Sequence, residues 1–265
     1  MSKGESRGTT IFGLLALMAV IGASGADAAE AAKGAAAGTD AAAAPVTFDD
    51  LTGEVVLDNA RVLVQKFVIP PGRSTGRHWH PADQLLVFIK GGTLKAHADG
   101  RAVVWHDGRV WWQPADAAPD DGSTNAGTAP IELVCVTLKP VAAAPQPAAE
   151  RLAGARGAEP KYRYLNYPNI PGEDVLENDF VIVQRFLVQP GQWEGVHAHH
   201  PDMLYIHVKG GQWAERTKDT PPHPYPEASP DGEVGWMATI PLSVGHQSGN
   251  VGKTPIDLIW VTLKK

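Results

Sequence analysis

The sequence predicts an all-β chain made of two copies of one small sandwich or barrel. Three observations carry that expectation. Residues 59–92 and 178–211 repeat one another, short β-branched runs recur between glycine and proline turns, and no long stretch beyond the first 30 residues has a 3.6-residue apolar period. The composition agrees: 28 glycines and 22 prolines among 265 residues, with only 20% charged, suit many strands and tight turns better than a helical bundle.

The repeat is the firmest of the three. Aligning Asn59 with Asn178 gives a shift of 119 residues (178 − 59) that holds without a gap to Gly92 and Gly211. Of those 34 positions 15 are identical, against about one in sixteen expected by chance at ordinary composition. The ends also match, NAGTAPIELVCVTLK at 125–139 against NVGKTPIDLIWVTLK at 250–264, with the shift now 125 because the middle loops differ in length.

Within a repeat the strands follow in order. Residues 62–69 (VLVQKFVI) are β-branched and aromatic, and Pro70-Pro71-Gly72 stops them. A strand carrying His78 and His80 comes next, then residues 85–89 (LLVFI) before the Gly91-Gly92 turn. Residues 110–112 (VWW) end at Pro114, and residues 131–138 form the last strand. Cys135, the sole cysteine, falls in that strand opposite Trp260 of the other copy, which predicts a buried, inert thiol and no intramolecular disulfide.

Outside the repeats the chain is low in information. Residues 1–28 read as an export signal: Lys3 and Arg7, an apolar stretch over 11–21 too short to span a bilayer, and Ala26-Asp27-Ala28 as cleavage signature. Residues 29–48 form an Ala/Gly-rich leader and 141–160 an Ala/Pro-rich linker, leaving domains at 49–140 and 161–265. The expected compartment is the periplasm or the exterior, with no membrane attachment after cleavage. A net charge of −6 without any lysine or arginine stripe argues against nucleic acid and for a small-molecule partner.

The histidines carry the chemistry. His197 and His199 flank one residue, and on an extended chain positions i and i+2 share a face about 6 to 7 Å apart. With His246 later in the same copy, three neutral imidazoles suit one divalent transition metal (Fe, Mn, Zn, Cu or Ni) and leave positions open for water or substrate. His207 shares the inward parity of His199, so it and Tyr205 are candidates to line the pocket; His200 faces the other way.

These positions resemble the two motifs of the cupin superfamily. The first motif appears as Gly72, His78, His80, Gln84, Gly91 and again as Gly191, His197, His199, Met203, Gly210; the second as Gly235, Pro241, Ser243, His246, Asn250. The resemblance implies two tandem jelly-roll barrels, a bicupin, with the metal inside the barrel and the two barrels packed together as identical chains pack in one-domain cupin dimers. Both copies lack the motif glutamate, so the second resembles three-histidine cupins. The first also lacks the late histidine: counting forward from Pro114 puts Pro119 there, and counting back from Asn125 puts Asp121 there. His78, His80, Gln84 and Asp121 are therefore its weaker candidate ligands. The second copy has eight more residues between its motif glycines, within the proline-rich stretch 217–232, which is either a lid or a surface insertion. The resemblance implies a secreted metal-binding bicupin, with a dioxygenase-type oxidoreductase as the enzymatic reading, a non-catalytic binding or sensing module as the alternative, and homo-oligomers allowed.

Overall fold

A computed structural model describes Val46, Phe48 and residues 51–115, 119–140 and 164–264. The export signal, the linker and most of the leader lie outside the described residues. Among the described residues there is no α-helix, and none is therefore long and apolar enough to cross a membrane.

Each copy builds one five-stranded and one three-stranded antiparallel sheet. In the first copy the larger sheet runs β1 (Glu54–Asp58), β2 (Val62–Ile69), β8 (Ile131–Leu138), β3 (Gln84–Lys90), β6 (Val110–Gln113). The smaller runs β5 (Ala102–Trp105), β4 (Gly92–Ala96), β7 (Ser123–Asn125). The second copy repeats this with β9 (Gly172–Glu177), β10 (Val181–Val188), β16 (Ile256–Leu263), β11 (Met203–Lys209) and β14 (Val234–Met237). Its smaller sheet holds β13 (His223–Pro224), β12 (Trp213–Arg216) and β15 (Gln247–Asn250). Pairing the first long strand with the last, as in β2–β8 and β10–β16, closes each unit by a non-local ladder, the jelly-roll arrangement.

Paired devices hold the two copies to one shape. Asn59 Oδ1 accepts the Arg61 and Val62 amides, and Asn178 Oδ1 accepts those of Phe180 and Val181, so one Asx turn opens each long strand. Gln65 Oε1 accepts the Val46 amide and Gln184 Oε1 the Leu165 amide, tying the entering chain to the barrel. Asn125 and Asn250 each donate through Nδ2 to two backbone carbonyls.

Strand alternation splits the side chains between two interiors. From β3 and β11, Leu85, Val87, Leu204 and Ile206 point away from their own barrels and form one apolar cluster shared by both copies. The intervening Gln84, Leu86 and Phe88, and likewise Met203, Tyr205 and His207, point into the barrels. Trp112 stacks on Phe180 across the junction at 5.5 Å, and Arg61 is paired with Asp202. Cys135 lies in the first barrel at 1% exposure, and burial pushes its thiol up to about 12, as an inert core residue requires.

The histidine segments are extended rather than regular strand. Isolated bridges (His78 to Asp120, His199 to Ile240) hold them in place of a continuous ladder. Gly76 and Gly195, at φ +65 and +84, bend the chain just ahead of each pair and end the ladder. The shared apolar face makes a testable claim: Leu204→Ala should cost about 2 to 5 kcal/mol in urea unfolding. A loss under about 1 kcal/mol would mean the two larger sheets do not depend on one another.

Candidate metal centre

In the second barrel His197, His199 and His246 converge. They are 2%, 3% and 6% exposed, and one donor nitrogen from each lies within 4.8 Å of the other two. His246 reaches the group because a 3-10 turn at Leu242–Val244 and left-handed Gly245 swing the chain in, and its carbonyl accepts the His197 amide. His197 Nδ1 donates to the Gly195 carbonyl at 2.8 Å, which leaves the Nε2 lone pair for the shared centre. His197 Nε2 and His199 Nε2 stand 2.9 Å apart. Two nitrogens at right angles on one ion of ordinary bond length sit about 3 Å apart, so the spacing fits joint ligation. Burial lowers the pKa of all three, His199 to about 2 and His246 to about 4, so the set presents neutral imidazoles to an ion.

A carboxylate that the motif reading passed over completes the centre. Glu194 is 2% exposed, and its Oε2 lies 3.8 Å from His197 Nε2. The Ser248 amide donates to that oxygen at 3.1 Å, and the Tyr167 hydroxyl is hydrogen-bonded to the same carboxyl. Trp260 Nε1 donates to the Tyr167 oxygen at 2.7 Å, closing a buried chain from Trp260 to Tyr167 to Glu194. Desolvation drives Glu194 up to about 8, and Tyr167 well above its ordinary value. The first barrel has Phe48, Thr75 and Cys135 at the corresponding places, with Phe48 against His78 as Tyr167 is against His197.

Tyr205 and His207 both face the interior, as their parity predicts. Tyr205 lies 5.6 Å from the Trp260 ring and 5.3 Å from that of His207, and Trp260 lies 4.9 Å from His199. Trp213 Nε1 donates to His207 Nε2 at 3.0 Å, and His207 Nδ1 lies 3.3 Å from Glu233 Oε2. Ring contacts through Tyr205 and Trp260 thus link His207 to the metal group. Burial raises Tyr205 to about 12. The stretch 217–232 is neither bare lid nor surface decoration: β13 within it pairs with β12, and Tyr225 enters the interior cluster, its hydroxyl donating to Glu215 Oε2 at 3.3 Å.

The first barrel is a partial copy. His78 Nε2 and His80 Nε2 lie 3.2 Å apart, and Gln84 Oε1 accepts His80 Nδ1–H at 2.7 Å, so Gln84 orients a histidine instead of facing the centre. Asp120, not Asp121, brings its carboxylate within 4.8 Å of both rings. The cause is one extra residue relative to the second copy between this point and the shared Ser123/Ser248 position. Asp120 stands where His246 stands, each carbonyl accepting the amide of the first histidine, and Gly122 at φ +88 absorbs the extra residue. A Cβ on Gly122 would meet the Gly76 carbonyl oxygen at 2.1 Å. Asp121 turns outward, 4.0 Å from Arg77. At the Gln84 position the second copy has Met203, which offers no acceptor, and His199 Nδ1 is buried without a partner.

No family model matches the chain, and no curated protein matches it. Among solved structures it is similar to a cupin domain from Bordetella pertussis Tohama I, at 23% identity over 34% of this chain and 94% of that one, TM-score 0.30. A cupin 2 conserved barrel domain protein from Leptotrichia buccalis matches at 10% identity over 83% and 92%, TM-score 0.47. Oxalate decarboxylase from Lactobacillus farciminis matches at 15% identity over 84% and 87%, TM-score 0.48. Such distant likenesses transfer no chemistry; the chain's own strand order builds two jelly-roll barrels.

Glu194 gives the metal-free chain a pH signature. Its carboxyl titrates near 4.5 when unfolded and near 8 when folded, so the native state holds the extra proton between those values and stability falls as pH rises toward 8. The three histidines act oppositely, but only below about 6.5, where the unfolded chain takes up their protons. The unfolding free energy of chelator-treated protein, from denaturant titration, should therefore fall between pH 6.5 and 8, by no more than about 1.4 kcal/mol per pH unit. Glu194→Gln should flatten that limb; an unchanged slope in the variant would remove Glu194 as its source.

Proposed function

We propose that this two-barrel cupin chain is a metal-dependent oxidoreductase of dioxygenase type that works on a small organic molecule inside its second barrel. One observation carries the reading: His197, His199 and His246 form a buried, neutral, convergent three-nitrogen set with a buried carboxylate beside it. A divalent transition ion (Fe, Mn, Zn, Cu or Ni) held there would supply Lewis acidity and, for a redox-active metal, electron exchange with dioxygen.

The remaining steps belong to the protein's own groups. Glu194 Oε2 is placed to exchange a proton with a substrate oxygen arriving near His197, while the Tyr167 hydroxyl and the Ser248 amide hold the carboxyl in position. The rings of Trp260 and Tyr205 wall the interior and keep it dry, and Tyr205 with His207 would orient the substrate. The first barrel, with Phe48 and Cys135 where the second has Tyr167 and Trp260, serves chiefly as the packing partner. Work in the periplasm or outside the cell is part of the proposal, supported by residues 1–28 and tested by the N-terminus of exported protein.

Elemental analysis of protein purified without chelator should find about one transition metal per chain, lost in a His197→Ala, His199→Ala double variant and kept in a His78→Ala, His80→Ala one. Metal-loaded protein should then consume oxygen with some member of an enol and phenol panel. Metal without oxygen uptake would favour a binding or sensing module, and metal that survives loss of His197 and His199 would overturn the proposal.

A further inference from the structure

The smaller sheets of the two copies end differently, and the difference falls on one edge strand. β5 is the outer strand of the first, paired only with β4. Thr93 O accepts the Ala126 amide on the β7 side, and Ala96 donates its amide to Arg101 O. By antiparallel alternation the backbone groups of Arg101, Val103 and Trp105 therefore face β4, and those of Ala102 and Val104 face outward. Among the described residues no backbone group hydrogen-bonds to that outward side.

The side chains along that edge are apolar as well. Trp105 stacks on Phe88 inside the barrel and meets the Trp111 ring at 5.7 Å, yet Trp111 stays 44% exposed and Val104 61%. Ala102 and Val103 are exposed beside them. An open apolar edge pairs with another strand unless something blocks it. The second copy blocks its own: the matching strand β13 is two residues long and lies among Pro221, Pro222, Pro224 and Pro226, which have no amide to offer. The first copy has no proline between Gly92 and Val110.

We infer that β5 is the contact strand of a symmetric dimer, in which two copies of this chain join edge to edge and antiparallel. The strand is its own complement. A two-fold axis at Val104 sets that residue against Val104 of the second copy, Val103 against Trp105, and Ala102 against His106. The same register brings Arg101 to Asp107, so opposite charges meet at both ends of the ladder. It also sets Gly100 against Gly108, whose left-handed backbones (φ +71 and +75) turn the chain away on either side of the strand. Asp107 gives Oδ1 to the Gly91 amide and has Oδ2, 4.0 Å from Lys209, left for the arginine of the second copy. Moving the axis to Val103 would keep the backbone alternation but place Arg101 against Trp105, with no charge paired.

Sedimentation velocity of the purified protein over about 1 to 200 µM should show a monomer–dimer equilibrium with a micromolar midpoint, as so short a ladder allows. Val104→Pro removes an outward amide and leaves the β4 ladder intact, so it should hold the protein monomeric throughout with the parent far-ultraviolet spectrum. Val104→Lys, which keeps the amide but sets two like charges together at the axis, should do the same. Arg101→Asp and Asp107→Arg should each weaken the dimer about ten-fold, and an equimolar mixture of the two variants should recover parent association, because every charge then meets its opposite. A monomer at all concentrations would overturn the inference and leave the edge to another segment of this chain or to another protein. A dimer unchanged by both Val104 substitutions, or a mixture that associates no better than its components, would overturn it as well.

Discussion

Everything in this chain depends on the two-residue period of its central strands. β3, β8, β10, β11 and β16 each carry one row of side chains into their own barrel and the other into the cluster shared by both copies. The shared face is almost wholly valine, leucine and isoleucine, so it is satisfied by area alone and imposes no chemistry. The inward rows are thereby released from holding the two copies together. They can be apolar, as Leu86, Phe88 and Cys135 are, or polar, as Tyr205, His207 and Trp260 are, without disturbing the junction.

The polar interior of the second barrel is nevertheless a closed account. Trp260 donates to Tyr167, Tyr167 to Glu194, and Ser248 fixes the remaining side of that carboxyl. An ionisable group this deeply buried is tolerated only because each partner is itself positioned by a neighbouring element. His199 Nδ1 is one exception, and the contrast with His80 is instructive: Gln84 clamps one ring, and Met203 leaves the other without an oxygen acceptor. The second barrel thus keeps its metal-facing nitrogens in place by packing against Trp260 and the neighbouring imidazoles more than by hydrogen bonds.

Much of the architecture could be read before any coordinates because it is local or repeated. The doubled Asn-to-Gly segment, the strand stops at Pro70 and the inward parity of His207 all follow from spacing along one strand. Spacing also identified which three histidines the fold brings together. The carboxylate was invisible for a definite reason: Glu194 sits in an irregular segment between Gly191 and Gly195, where neither strand parity nor a motif position marks it. Tyr167 lies ahead of the aligned repeat, and its pairing with Glu194 spans distant elements. Asp121 was the nearest residue by backward count, but the residue absorbed at Gly122 displaced the equivalence by one, to Asp120. Loop geometry, unlike strand parity, does not conserve counting.

The covalent joining of the two barrels has a consequence for how such a protein can change. In a dimer of identical chains every substitution appears twice, so a change that improves one cavity also alters the other. Here Phe48 and Tyr167, Thr75 and Glu194, Cys135 and Trp260 are separate codons at matched places. The tether also holds the partners at a high effective concentration, so the apolar junction survives even when one side no longer contributes reactive groups. One half can drift toward inert packing while its twin specialises, and selection can act on a single pocket at a time.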